Sequence, residues 1–146
     1  MNFDKVYDYA RELLAKYGKA DKSTYTSDRR ILWIGTQPLF TRVAELPAHE
    51  DPYIKAIATE IDPHHDFILI LGGNTEIDPH RDATYAAPDA ITLNLGGMAY
   101  FDHEDGCKWL KHGDITRFNC KRLHGILEAD LDRIAIAIWR KNPKWK

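Results

Sequence analysis

Residues 66–82 read DFILILGGNTEIDPHRD, and this stretch decides the fold. Its apolar run, 67–71, is typical of a buried strand, and the turn Gly72-Gly73-Asn74 then sends the chain back. His80 and Asp82 lie where the returning strand should run. Side chains at positions i and i+2 of a strand point the same way, so this imidazole and this carboxylate converge on one point. The stretch therefore predicts two metal-type ligands on a strand.

Short strands separated by turns continue toward the end of the chain. Turn signals occur at Asp105-Gly106 and at His112-Gly113-Asp114. The further candidate strands are 90–95, 98–101, 115–118 and 133–139. Many short strands of this kind predict an α+β, mainly β fold. We expect a compact jelly roll, also called a double-stranded β-helix.

Two predicted helices precede these strands. Apolar residues recur at helical spacing over 3–17, and Gly18 follows as a stop. A second helix is predicted over about 52–61, where Asp51 precedes a proline at the first helical position. Between the helices, we expect a polar loop at 19–29 and a short strand at 31–34. Both helices should pack on the outside of the jelly roll.

Length and composition indicate one globular domain. The chain has 146 residues, of which 44% are apolar and 29% charged, and its net charge is −2. This length fits a single domain, 1–146, with an N-terminal part at 1–65 and a jelly-roll core at 66–140. The slightly negative charge provides no overall basic field to attract nucleic acid.

The cysteines and the hydropathy pattern predict the compartment. Cys107 and Cys120 form no Cys-x-x-Cys pair, which disfavours a zinc finger or a thioredoxin-type site. Residues 1–5 lead into an amphipathic helix rather than a signal peptide, and no apolar run approaches the roughly 18 residues of a membrane span. We expect a soluble, monomeric protein of the cytoplasm that has no membrane partner.

The motif His-x-Asp occurs five times, so it does not identify a site without its context. The octapeptide TEIDPHRD at 75–82 has a near copy, TEIDPHHD, at 59–66, but the copy lies between the second helix and the next strand. Asp51, in the pair at 49–51, is better explained as a helix N-cap. Turns account for the other two pairs, His103/Asp105 and His112/Asp114. This comparison favours His80 and Asp82.

A third ligand is available in the stretch Leu123-His124-Gly125-Ile126. Two histidines and one carboxylate on one face of a metal leave three coordination positions open. This arrangement is typical of non-haem Fe(II) oxygenases. A zinc-bearing cupin-type site is a further alternative, although it would usually include a third histidine or a glutamate.

Arg133 precedes an apolar strand, nine residues after His124. An arginine that points into a barrel needs an anionic partner, because burying it unpaired is costly. A dicarboxylate could supply one through a charge-assisted pair. The structural alternative is an ion pair with Asp130 or Asp132.

In this order, His80-Arg81-Asp82, His124 and Arg133 resemble the Fe(II)/2-oxoglutarate-dependent dioxygenase superfamily. The resemblance covers about residues 66–140, and the closest likeness within the superfamily is to AlkB-like nucleic-acid demethylases. Two features depart from that pattern. Ala135 stands where Arg-x-Ser is common, and Leu69-Ile70-Leu71 replaces an Asn-x-Tyr.

The resemblance implies a ligand set and a reaction. Fe(II) would be bound by His80, Asp82 and His124, and the cosubstrate 2-oxoglutarate would contact Arg133 and Arg140. O₂ would then convert 2-oxoglutarate to succinate and CO₂ while a substrate C–H bond is hydroxylated, with ascorbate supporting activity. The retained aspartate favours hydroxylation over halogenation.

The substrate is open at this stage. An AlkB-like enzyme would demethylate an alkylated nucleobase, and the candidate substrate contacts in a reduced lid and pocket are Tyr25, Arg29, Arg30, Trp33, Phe40 and Tyr85. Packing is the alternative role for the aromatic residues. Nucleic acid is therefore one candidate partner besides the small-molecule cosubstrate. The other functions are hydroxylation of an amino-acid or peptidyl side chain, and a catalytically silent jelly-roll binding module.

Overall fold

A computed structural model describes residues 1–39 and 43–145. Within these ranges the helices are α1 (Phe3–Tyr17) and α2 (Pro52–Ile61). The strands of the N-terminal part are β1 (Lys19–Ala20), β2 (Arg29–Ile34), β3 (Thr36–Pro38) and β4 (Glu45–Pro47). The remaining strands are β5 (Phe67–Gly73), β6 (Ile77–His80), β7 (Ala86–Leu95), β8 (Ala99–His103), β9 (Gly106–Leu110), β10 (Ile115–Asn119), β11 (His124–Ala129) and β12 (Ile134–Lys141).

Local signals define both helices. The side chain of Asn2 accepts a hydrogen bond from Lys5 N at the start of α1, and the N–H of Gly18 closes its end. Asp51 caps α2 by accepting from Ile54 N, and proline occupies the first turn. Both predicted helices are confirmed with these boundaries. Neither is long and apolar enough to span a bilayer, as judged for the residues described above.

Strands β5 to β12 form a jelly roll, which confirms the predicted fold class. The larger sheet has the order β1-β2-β5-β12-β7-β10, and the smaller has the order β6-β11-β8-β9. Successive strands from β5 onward therefore alternate between the sheets, apart from the hairpin of β8 and β9. Strands β1 and β2 extend the larger sheet, so the N-terminal part shares it with the core.

The larger sheet has two apolar faces. Its outer face packs against both helices through the buried residues Leu32, Ile34, Ile68, Ile70, Ile91, Leu93, Leu95, Ile134, Ile136 and Ile138. The alternate residues face the smaller sheet and build an interior cluster that contains Trp33, Phe67, Leu69, Ala137 and Trp139. The period of two along each strand produces this division.

Some predicted boundaries are wrong. The predicted loop at 19–29 contains β1 and the first residue of β2. His103 ends strand β8 instead of lying in a turn, and Arg140, which follows the predicted strand at 133–139, lies within β12. Strands β3, β4, β9 and β11 were not predicted. Two of them are only three residues long, β9 has an almost wholly exposed pattern, and β11 does not alternate between buried and exposed residues.

One ion pair joins α2 to the last strand. Arg140 donates from Nε and Nη2 to the two carboxylate oxygens of Asp62, at 2.8 and 2.9 Å. Asp62 is buried, whereas 39% of the Arg140 side chain is exposed. The hydrogen bonds from Arg140 outweigh burial and lower the pKa of Asp62 to about 2.

We predict that Asp62→Asn destabilises the protein in a pH-dependent way. The pKa of Asp62 is lower in the folded state, so its contribution is present above about pH 4 and is lost as the pH falls toward about 2. Allowing for the exposure of Arg140, the loss near neutral pH should be about 1–2 kcal/mol. Urea unfolding at several pH values measures it. Asp8→Asn, at an exposed position of α1, is the control, and a pH-independent loss in Asp62→Asn would contradict the prediction.

Candidate metal centre

The pairing of β6 with β11 brings two histidines together. These strands are antiparallel neighbours, and His124 lies directly opposite His80. Gly125 follows at a bulge in this pairing, and a Cβ there would lie 2.8 Å from the carbonyl oxygen of Ile77. Glycine at this position therefore lets the two strands approach closely enough to align the imidazoles.

Asp82 completes a three-residue cluster at the end of β6. Its Oδ1 lies 3.2 Å from Nε2 of His80 and 3.1 Å from Nε2 of His124. The ligand atoms all lie within 4.8 Å of one another, and 8–12% of each side chain is exposed. Within 1–39 and 43–145, this is the group of His, Cys, Asp and Glu side chains that could hold a metal ion.

Backbone carbonyl groups orient both imidazoles. Nδ1 of His80 donates to the carbonyl of Asp78 at 2.8 Å, and Nδ1 of His124 donates to that of Arg122 at 2.9 Å. These hydrogen bonds place the proton on Nδ1 and aim Nε2 at Asp82. Three electron-pair donors that face one another need a cation between them, either protons or a metal ion. Such outer hydrogen bonds are usual for histidines that ligate metals, so the residues fit a divalent cation.

Asp82 is held in its ionised form. Burial by itself would raise the pKa of this carboxyl, but the hydrogen bonds with His124 and His80 lower it well below its usual range. Its second oxygen, Oδ2, accepts from Nε1 of Trp139 at 2.9 Å. Burial likewise opposes a charge on His124, yet Asp82 raises the pKa of that imidazole. The carboxylate is therefore available as a ligand.

Aromatic rings surround the two imidazoles. The ring of Phe118 lies 4.9 Å from that of His124, and Tyr25 stacks on His80 at 5.3 Å. The loop that carries Tyr25 is held to β6, because the N–H of Asp78 donates to the carbonyl of Tyr25. This packing limits rotation of the ligands, which a rigid metal site requires.

The four other His-x-Asp pairs lie apart from this cluster. His64 is exposed between α2 and β5, where its N–H donates to Asp62. Asp51 is the cap of α2, as predicted, and His112 pairs with Asp4 of α1 at 2.7 Å. His103 stacks on Phe101 at the end of β8. These contacts give each pair a structural role.

Arg133 is 3% exposed and has neutral partners. Its Nε donates to Oδ1 of Asn94 at 2.5 Å and its Nη1 to the hydroxyl of Thr75 at 3.0 Å. Across the described parts of the chain, no carboxylate lies within ion-pair distance of it, so the expected alternative with Asp130 or Asp132 is not found. Burial, with a contribution from nearby Arg29, lowers the pKa of Arg133 to about 10.

The other candidate contacts are engaged elsewhere. Arg140 is turned toward Asp62, and Arg30 donates to the carbonyl of Gly18 at the end of α1. Arg29 pairs with Asp21. Trp33 and Tyr85 are 7% and 5% exposed and pack edge to face, which agrees with the packing alternative. Phe40 lies outside the described residues.

Sequence reasoning missed four residues of this region. Asn94 and Thr75 hold Arg133, Trp139 holds Asp82, and Asp21 holds Arg29. Asn94 left one usable signal, because it is a polar residue at an inward position of an alternating strand. The other three give no comparable local signal.

Comparisons with known proteins leave the family open. No protein-family model matches the chain, and no curated protein is similar to it. Solved structures with a similar fold include a cupin-like protein of Thermotoga maritima, with 12% identity over 84% of this chain and 75% of that chain, and a TM-score of 0.48. A predicted oxalate decarboxylase of the same organism has 14% identity over 75% and 94%, with a TM-score of 0.45.

A third similar structure is the polyketide cyclase RemF from Streptomyces resistomycificus. It is 10% identical over 86% of this chain and 75% of that chain, with a TM-score of 0.47. None of the three is similar enough to indicate what this chain binds or whether it catalyses a reaction.

We predict that the chain binds one divalent metal ion through His80, Asp82 and His124. Isothermal calorimetric titration with Mn(II) should show that the wild-type chain binds one ion. His80→Ala and His124→Ala should each weaken binding by at least about 100-fold, because two ligands cannot enclose the ion as three do. His64→Ala, in the near copy of the motif, is the matched control. Loss of binding in that control alone would contradict the assignment.

Proposed function

We propose that this chain is an Fe(II)- and 2-oxoglutarate-dependent oxygenase that hydroxylates a C–H bond. One observation carries the proposal: a buried arginine without a carboxylate partner in the described chain belongs to the same jelly roll as the three metal-type ligands. A cation so placed needs an anion from outside the chain. A dicarboxylate that reaches both the metal and Arg133 satisfies both requirements.

The ligand set suits iron in this role. Neutral imidazoles and a carboxylate are usual Fe(II) ligands, and three of them leave positions for a bidentate cosubstrate and for O₂. Bound iron would supply the redox chemistry that couples decarboxylation of 2-oxoglutarate to hydroxylation of the substrate. The chain itself holds the ligands, excludes water and orients the reactants.

Arg133 would bind the distal carboxylate of 2-oxoglutarate. Asn94 and Thr75 fix its guanidinium group through Nε and Nη1. Thr75 is 2% exposed and supplies a hydroxyl group that contacts Arg133, whereas Ala135 lacks the serine hydroxyl of the resembling enzymes. Arg140 is not included, because Asp62 already accepts from both its Nε and its Nη2.

For the substrate, we propose testing an alkylated nucleobase first. Hydroxylation of an N-methyl group ends in demethylation, with loss of formaldehyde. Amino-acid and peptidyl side chains follow as the second class. Trp33 and Tyr85 are buried in the interior. Recognition of any substrate would therefore depend on groups nearer the surface, such as the half-exposed ring of Tyr25.

We predict slow formation of succinate from 2-oxoglutarate when the chain is supplied with Fe(II), ascorbate and O₂ and no other substrate. The rate of succinate formation in His80→Ala should be at least about 100-fold lower than in the wild type, because the substitution removes a metal ligand. Succinate is measured by chromatography, and His64→Ala should turn over as the wild type does. Equal rates in wild type and His80→Ala would contradict the proposal. A silent binding module would form no succinate and would not bind 2-oxoglutarate.

A further inference from the structure

Arg29 lies beside Arg133 although it comes from the N-terminal part of the chain. In the pairing of β2 with β5, Arg29 is opposite Gly73, and in the pairing of β5 with β12, Ala135 is opposite Leu71. Arg133 lies just before β12, whose pairing with β5 is seen as far as Ala135, so the two arginines lie at the same end of β5. Their charges are close enough for Arg29 to contribute to the lowered pKa of Arg133.

The guanidinium of Arg29 is directed into the jelly roll. Arg29 shares a face of β2 with Trp33, which belongs to the interior cluster, and with Ile31, which packs against that cluster. Its neighbour Arg30 is exposed and contacts the end of α1. At the same end of β5, the buried side chain of Arg133 is held by Asn94 and Thr75. The two cations can therefore reach one ligand.

An anion of the chain already sits beside Arg29. Nε and Nη2 of Arg29 both lie 2.6 Å from Oδ2 of Asp21, and the two side chains are 13% and 10% exposed. The N–H of Asp21 also donates to the carbonyl of Arg29, which fixes the loop at this point. A carboxylate is thus stabilised at the place where a second arginine joins Arg133.

The interior charges define the ligand that fits. When both imidazoles are neutral, as they are as metal ligands, Arg29 and Arg133 balance Asp21 and Asp82. A divalent metal ion leaves two positive charges, and a dianion cancels them. A monoanion would leave one uncompensated charge in an environment where such charges are costly.

We infer that Arg29 is a second cosubstrate-binding residue, which Asp21 holds until a dicarboxylate arrives and whose guanidinium then shares the distal carboxylate with Arg133. This inference rests on the proposed function. It assigns to Arg29 the cosubstrate rather than the substrate contact expected from the sequence. It also makes the site selective for a 2-oxo dicarboxylate over a 2-oxo monocarboxylate.

The test is calorimetric titration of 2-oxoglutarate into chain loaded with Mn(II), which reports binding without turnover. Arg29→Gln should weaken binding by about 10-fold or more, the usual scale for loss of a charge-assisted contact. Arg30→Gln removes the same charge from the outer face of the same strand and should change binding by less than about 2-fold. Asp21→Asn should tighten binding, because it removes the competing carboxylate.

The double variant Arg29→Gln/Asp21→Asn removes the contact of Arg29 with the cosubstrate but leaves the net charge of the interior unchanged. It also leaves no buried aspartate without a partner. It should bind 2-oxoglutarate as weakly as Arg29→Gln, and it should discriminate less than the wild type against 2-oxobutyrate, a monoanion. Wild-type affinity in the double variant, or equal effects of Arg29→Gln and Arg30→Gln, would overturn the inference. Absence of 2-oxoglutarate binding in the wild type would instead refute the proposed function.

Discussion

The register between β6 and β11 is the constraint on which the site depends. It sets His124 opposite His80 and leaves Asp82 just beyond the strand end. A slip of one residue would turn every side chain of β11 to the other face of the sheet and remove His124 from the cluster. Gly125 fixes this register, because only a residue without a side chain tolerates the backbone of β6 at this distance.

The proposed site also depends on buried charged groups inside the jelly roll. Asp82 accepts a hydrogen bond from Trp139, and Arg133 donates one to Asn94. Neutral partners satisfy the hydrogen bonds of Arg133 but do not neutralise it, so its burial opposes folding. A group kept in such a state is a candidate for ligand binding. In the function we propose, the metal-type ligands and the arginine are two halves of one site.

The sequence predicted the features that depend on short spacing. The helix at Phe3–Tyr17 follows from periodicity and a stop signal. His80 and Asp82 converge as predicted, but the expectation that both lie on a strand is wrong, because β6 ends at His80. The partners of Arg133 and Arg140 are 39 to 78 residues away along the chain. No local pattern specifies which residue folding brings to such a side chain. The ion pair of Arg140 with Asp62 could therefore not be predicted from the sequence.

The most direct test of the central claim is visible spectroscopy of the chain with Fe(II) and 2-oxoglutarate in the absence of oxygen. We expect a weak charge-transfer band in the wild type, because the cosubstrate would chelate iron held by the three ligands. The band should be absent in His124→Ala. A wild-type chain that binds both Fe(II) and 2-oxoglutarate but shows no band would contradict the claim, because the two ligands would then occupy separate places.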